Sequence, residues 1–331
     1  MGWEAGISRR GLLAASGGIA AAVGGPLAGW SAPATAVPTG QFDLTAPSHD
    51  LFVHRKLYHV SRVMQSLAFD STNRRLFVAQ LQPNKTRDAD AHGDLCINEL
   101  DFHGNWRGHM HINDCGHGVS FGVDAISGSP ELWIEADVRT DDNGHGWGTR
   151  LIRVPYTAGE TISSHDWGPK YQPVLGADHI TCATDSYHRR MVVRYLEDGA
   201  FHYGLYDIES MLATSSDPVP GSGAVSVHPH IRQPAGLGTF QGYTVYGDYL
   251  YLLTGDSGED NARVYSVDLR TGETIQSAAT HAGVKRLVNN REPEGLAVYV
   301  TAAGTPRLFL GFASGYVGKR VANVFYKNYP A

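Results

Sequence analysis

Gln65-Ser-Leu-Ala-Phe-Asp70, followed after a short turn by Leu76-Phe-Val-Ala79, sets the reading of the whole chain, because the same pair of segments returns four more times. The first segment recurs as His117-Gly-Val-Ser-Phe-Gly-Val-Asp124, Asp178-His-Ile-Thr-Cys-Ala-Thr-Asp185, Gln241-Gly-Tyr-Thr-Val-Tyr-Gly-Asp248 and Glu294-Gly-Leu-Ala-Val-Tyr299. The second recurs as Leu132-Trp-Ile-Glu135, Met191-Val-Val-Arg194, Leu250-Tyr-Leu-Leu253 and Leu308-Phe-Leu-Gly311. In each first segment a polar residue is followed by apolar groups two and four positions later, the period of a strand with one buried face.

The anchors Gln65, His117, Asp178, Gln241 and Glu294 lie 52, 61, 63 and 53 residues apart. That spacing is long for a solenoid coil and suits a four-stranded propeller blade with loop insertions. Third strands are predicted at 94–100, 149–156, 202–208, 262–269 and 322–326, and fourth strands at 105–112, 160–163, 225–231 and 273–277. The last blade has no fourth strand of its own. Leu57-Tyr-His-Val60 is predicted to fill that place, which would close the ring and remove an open sheet edge. The expected fold is thus all-β: a five-bladed β-propeller of four-stranded blades, its ring closed by an N-terminal strand.

Composition agrees. With 39 Gly, 16 Pro and no long amphipathic helical run, the 331 residues read as a turn-rich chain large enough to bury a substantial core. Ser8-Arg9-Arg10-Gly-Leu-Leu13, a Gly/Ala-rich stretch to Trp30 and the small-residue site Ala34-Thr-Ala36 read as a twin-arginine signal over residues 1–36, followed by a linker over 37–50 and a single propeller domain over 51–331. The expectation is a secreted, extracytoplasmic monomer, with no stable membrane span once the signal is removed, since Gly17, Gly18, Gly24, Gly25 and Pro26 interrupt the segment. Cleavage would take two of the 27 basic and one of the 33 acidic groups, leaving a net charge of −7. No basic footprint for nucleic acid remains. Of the three cysteines, Cys182 falls on an apolar position of a first strand and reads as a small hydrophobe; Cys96 and Cys115 flank a hairpin, and the sequence leaves open whether they are bonded.

In a propeller the first strands line the axis, and their starting ends share a rim with the loops joining second and third strands. The five anchors therefore form a polar ring at one mouth, a place where several blades can converge on a ligand. The loops around it carry Lys85 and Arg87 from blade one, Arg139, Asp141, His145 and Trp147 from blade two, Asp256, Glu259 and Asp260 from blade four, and Tyr316, Lys319 and Arg320 from blade five. Blade two is the richest sector. The 256–261 loop reads first as a turn held by its own side chains; if it took a metal, its oxygen ligands would suit calcium. No cofactor is required. His109, His111 and His117 resemble a metal cluster, but the hairpin order puts the first two on an outer strand. Tyr187, His188 and Arg189 fall in a first-to-second-strand turn and are expected at the opposite mouth.

Three segments carry a family resemblance: 63–80, Gly93-Asp-Leu-Cys-Ile-Asn-Glu-Leu100 and Gly116-His-Gly-Val-Ser-Phe-Gly-Val-Asp124. They resemble the propeller shared by teichoic-acid biosynthesis protein C and phage receptor-binding proteins, over about residues 50–330, with Asp124 standing where many relatives have Glu. The resemblance implies a carbohydrate-facing five-bladed propeller without a defined reaction. A more distant likeness is to propeller-fold polysaccharide lyases, which work with His, Tyr and Arg around a uronate.

Two classes of function follow from the rim, an enzyme and a binding module. A lyase would need a base for the C5 proton (His117 or His145), a group to hold the uronate carboxylate (Arg139, Gln65 or Gln241) and an acid for the leaving oxygen (Tyr316 or the second histidine), with Trp147 stacking on a sugar. A hydrolase would draw instead on the carboxylates Glu294 and Asp178. A non-catalytic propeller would use Lys85, Arg87, Arg139, Lys319 and Arg320 to bind an anionic polysaccharide or cell-wall glycan, teichoic acid included. Convergence of His117 and His145 on one bound sugar would favour catalysis; histidines buried or apart above a basic rim would favour binding.

Overall fold

The computed structural model describes residues 40–83, 87–125, 128–214, 223–287 and 289–328. The expected signal over 1–36 and Lys85 lie outside the described residues. Within Pro38–Ala331, which is one compact unit, five antiparallel sheets stand around an axis. The first strands Met64–Asp70, Gly122–Asp124, Asp178–Asp185, Phe240–Tyr246 and Glu292–Val300 touch in that order, and the fifth returns to the first.

The axis is nearly solid. A cavity of only about 10 Å³ remains there, lined by Leu67, Phe69, Phe121, Thr184, Thr244 and Leu296. Glycine makes this approach possible at Gly242 (φ +142°), where a Cβ would stand 2.7 Å from the Cα of Gly295. Five apolar clusters fill the spaces between blades, with Phe77, Trp133, Tyr206, Tyr243 and Phe312 all essentially inaccessible.

The repeat has a local cause. The aspartate near the end of a first strand organises the turn that follows: Asp70 accepts from Asn73 N–H (2.9 Å), and Asp185 from Tyr187 and His188 N–H (both 3.1 Å). At the other end, register shifts between 64 and 66, 178 and 181, 240 and 242, and 293 and 296 mark a bulge at the anchor of four first strands. Bulges interrupt the regular pairing and re-aim the side chains at these anchors.

Two assignments from sequence are corrected. The strand that closes the ring is His49–Arg55, paired antiparallel with Val321–Asn328, and not 57–60, which runs as a loop. The blade-five partner needed a strand whose Phe52 enters the core, and 57–60 instead crosses the face of blade one. The segment Thr161–Ser163 is not the fourth strand of blade two. It pairs in parallel with Trp106–Asn113 of blade one, giving that sheet five strands, while Lys170–Tyr171 completes blade two. Cys96, Cys115 and Cys182 are all free thiols and buried. Within the stretch read as a linker, Phe42 (0% exposed) and Leu44 (1%) are buried between blades four and five, where Phe42 N–H donates to the Tyr251 hydroxyl.

Candidate functional site

The second-to-third-strand loop of blade two folds into a small hairpin, Arg139–Thr140 against Gly146–Trp147. Asp141 holds it: its carboxylate accepts from the N–H groups of Asn143 and His145 (both 2.9 Å) and from the Trp147 indole (3.0 Å). The hairpin leans on blade one, where Thr140 Oγ1 donates to the carbonyl of Ala91 (2.9 Å). These contacts bring His145 and Trp147 over the start of the first strand.

Below the hairpin, His117 is packed between Trp147 (stacked, 5.1 Å between ring centres) and His145 (edge-on, 5.4 Å). Trp147 also stacks on His179 of blade three at 4.7 Å. Burial and the neighbouring His145 lower the pKa of His117 to about 4, and its Nδ1 is buried without a partner among the described residues. His179, at φ +52° in the bulge, is likewise held toward the neutral form by burial.

The Gly116-His117-Gly118 motif has a structural explanation. Glu135 lies fully buried beneath it and accepts from the backbone N–H groups of Gly118 (2.8 Å), Gly148 (3.1 Å) and His117. A Cβ on Gly116 would stand 1.9 Å from Glu135 Oε2, so only glycine admits the carboxylate. Burial outweighs those three donors and raises the Glu135 pKa to about 7. Asp124, at the far end of the motif, accepts from the Trp133 indole (2.6 Å) and from Arg153 (2.7 Å), inside the blade.

The predicted residues divide accordingly. His117, His145, Trp147, Arg139 and Asp178 come together, with Arg139 Nη1 donating to Asp178 Oδ2 at 2.9 Å and its side chain still 65% exposed. Gln65 and Glu294 are buried; burial pushes the Glu294 pKa well up, with Glu292 adding to the effect. Gln241 donates to the carbonyl of Gly255 (2.7 Å) and Arg320 to that of Gly315 (2.8 Å). Among the described residues no hydrogen bond or ring contact joins the exposed Tyr316 to the histidines. In the acidic loop, Asp256 is taken up by Thr239 (2.5 Å) and Asn261 (2.7 Å), and Asp260 by His281 (3.2 Å), while Glu259 O accepts from Arg291 (3.4 Å).

Sequence reading missed Glu135, His179 and Arg194. The last is 3% exposed and clamped between Phe201 and Phe240, its guanidinium 3.4 Å and 4.0 Å from their ring centres. A charged residue directly after an apolar run, in Leu132-Trp-Ile-Glu135 and Met191-Val-Val-Arg194, was the available signal. At the opposite mouth, the turns of blades one, three and five surround a cavity of about 330 Å³ lined by Ser71, Thr72, Ser186, Tyr187, Val300 and Thr301, as expected for Tyr187.

The family model of the phage 5-bladed β-propeller receptor-binding platform domain matches residues 63–326. Among solved structures, the tail fiber of Staphylococcus aureus phage P68 superposes with a TM-score of 0.64 at 20% identity, over 81% of this chain and 50% of that one. The chain therefore spans half the length of that fibre, and the likeness shows the fold. A xylan β-1,4-xylosidase from Bacillus halodurans C-125 follows at TM-score 0.46 and 14% identity, over 82% and 54% of the two chains. No curated protein matches the chain.

Proposed function

The chain belongs to the phage five-bladed β-propeller receptor-binding platform family, and from that premise we propose that it is an extracytoplasmic binding module for an anionic cell-surface glycan, docked at the mouth of blades two and three. The family match is the observation that carries this reading. Export follows from the leader read at Ser8–Leu13, and a phosphate- or carboxylate-bearing wall polymer such as teichoic acid fits Arg139, Lys319, Arg320 and, by sequence, Lys85. Among the described residues no helix is long and apolar enough to cross a membrane.

The geometry favours binding over elimination. A base with a pKa near 4 is weak at neutral pH, and the half-buried His117 has one ring face covered by Trp147 and its Nδ1 buried, which disfavours reaching a sugar C5 proton. Trp147 is itself engaged by two imidazoles and offers less ring face to a sugar. The one observation on the side of a lyase is the 5.4 Å approach of His117 and His145.

The test is sedimentation of the protein with bacterial walls before and after chemical removal of their phosphate polymer, beside ultraviolet absorbance on uronate polysaccharides. Binding that disappears with the polymer, falls with salt and leaves the absorbance flat is the expected result. A rising unsaturated-uronate signal that is lost in His117→Ala would overturn it in favour of the lyase.

A further inference from the structure

In blade one the strand register sets Gln80, Cys96 and His111 side by side across three neighbouring strands, pointing to one face. The loop 57–62 crosses that face and is fastened to it. Gln80 Oε1 accepts from His59 N–H (3.2 Å), and its Nε2 donates to the carbonyls of His59 and Arg62 (both 2.9 Å). Asn98 Oδ1 accepts from Tyr58 N–H (2.8 Å), and the Tyr58 ring stacks on His109 at 3.6 Å. Gln80 and Asn98 are 1% and 0% exposed, so the loop has little freedom.

The result is that His59 Nε2 stands 3.1 Å from His111 Nε2, and both lie within 4.8 Å of Cys96 Sγ. We propose that His59, Cys96 and His111 bind a zinc ion. Two imidazole nitrogens on a tetrahedral zinc lie about 3.3 Å apart, and a nitrogen and a thiolate about 3.6 Å, given the usual bond lengths. The nitrogen pair already matches this spacing, and the sulfur side, within 4.8 Å, closes onto the ion by at most about 1.2 Å. Burial favours the protonated Cys96 thiol; zinc takes the place of that proton, which leaves to solvent as the Zn–S bond forms. A cavity of about 230 Å³, lined by His59, His111, Gln82, Arg87, Asp94 and Asn113, opens beside the two histidines and leaves room for an exchangeable fourth ligand. Three protein ligands with one open position is the arrangement of a zinc that can take up a water or an anionic group.

The full chain, stripped with a chelator, would be titrated with zinc and separately with cobalt(II), with metal content and absorbance as readouts. One metal per chain is expected, and cobalt should give a thiolate charge-transfer band. Cys96→Ser should abolish the band, and His59→Ala should weaken binding on the order of 100-fold with unchanged circular dichroism. His103→Ala, which removes an exposed histidine at the turn of the same hairpin, should retain both stoichiometry and band. Absence of stoichiometric binding in the parent chain would overturn the site, as would a band surviving Cys96→Ser. Equal loss in His103→Ala would overturn it in favour of diffuse binding to surface histidines.

Discussion

The rim of blades two and three and the flank of blade one both gather histidines under a loop, but they do so in opposite ways. At the rim the histidines are set by ring packing, His117 standing between Trp147 and His145 with its Nδ1 unpartnered among the described residues, while Arg139 meets Asp178, Asp141 holds the hairpin and Glu135 takes three backbone donors. On the flank the buried amides Gln80 and Asn98 hold the loop backbone, which brings the side chains of His59, Cys96 and His111 together. The difference teaches that histidine density is a poor guide to chemistry. What matters is whether the ring nitrogens are aimed at one point, as on the flank, or the rings are stacked face to face, as at the rim.

The sharpest way to break this comparison is to remove the carboxylate under the rim. Glu135→Ala leaves three buried N–H groups without their acceptor and should cost about 3 kcal/mol or more, read from the urea midpoint. On the flank, Gln80→Ala releases the 57–62 loop and should cost about 2 kcal/mol, with metal affinity falling alongside. If Gln80→Ala lowered stability without touching metal uptake, the loop would not be what positions His59.

A pH series separates the two rim titrations. Folding raises the Glu135 pKa from the usual 4.5 to about 7, so the folded state binds more protons and stability falls as pH rises through that window. Folding lowers the His117 pKa from 6.5 to about 4, so the folded state binds fewer protons and stability falls as pH drops through that window. The two slopes oppose each other, and the parent chain should be nearly flat between them. Glu135→Gln should leave a stability that rises with pH, and His117→Gln one that falls; denaturant midpoints from pH 4 to 7 would show it. The smallest stability effect belongs to Arg139→Ala. Its ion pair is exposed, so stability should stay within about 0.5 kcal/mol. Glycan binding at low salt should weaken several-fold, and a change in stability without one in binding would remove Arg139 from the docking surface.

Much of the fold was legible because a repeat reports it several times. Polar anchors, alternating apolar residues and turn aspartates recur with each blade, and the first three strands of every blade fall where the pattern puts them, although blade two pairs only over Gly122–Asp124. The fourth strands were less legible. They lie farthest from the axis, carry weak alternation, and Thr161–Ser163 joined the neighbouring blade because its edge was free. The ring-closing strand was missed for a related reason: His49–Arg55 is mostly exposed, with Phe52 its one fully buried residue and Leu51 and Val53 only partly covered. At the rim, His117, His145 and Trp147 were visible from blade geometry, while Arg194 and His179 were not, since a buried cation–π sandwich and a bulge leave no periodic trace.

By itself the sequence determined the all-β repeat, the five blades and which loops share a mouth, because strand period and turn chemistry are local properties written along the chain. Only the tertiary structure decided that Glu135 lies under the Gly116-His117-Gly118 backbone, that Arg139 pairs with Asp178, and that His59 meets Cys96 and His111 across 37 and 52 residues of chain. Such meetings depend on how blades dock and where a connecting loop is fastened, and no local pattern encodes them.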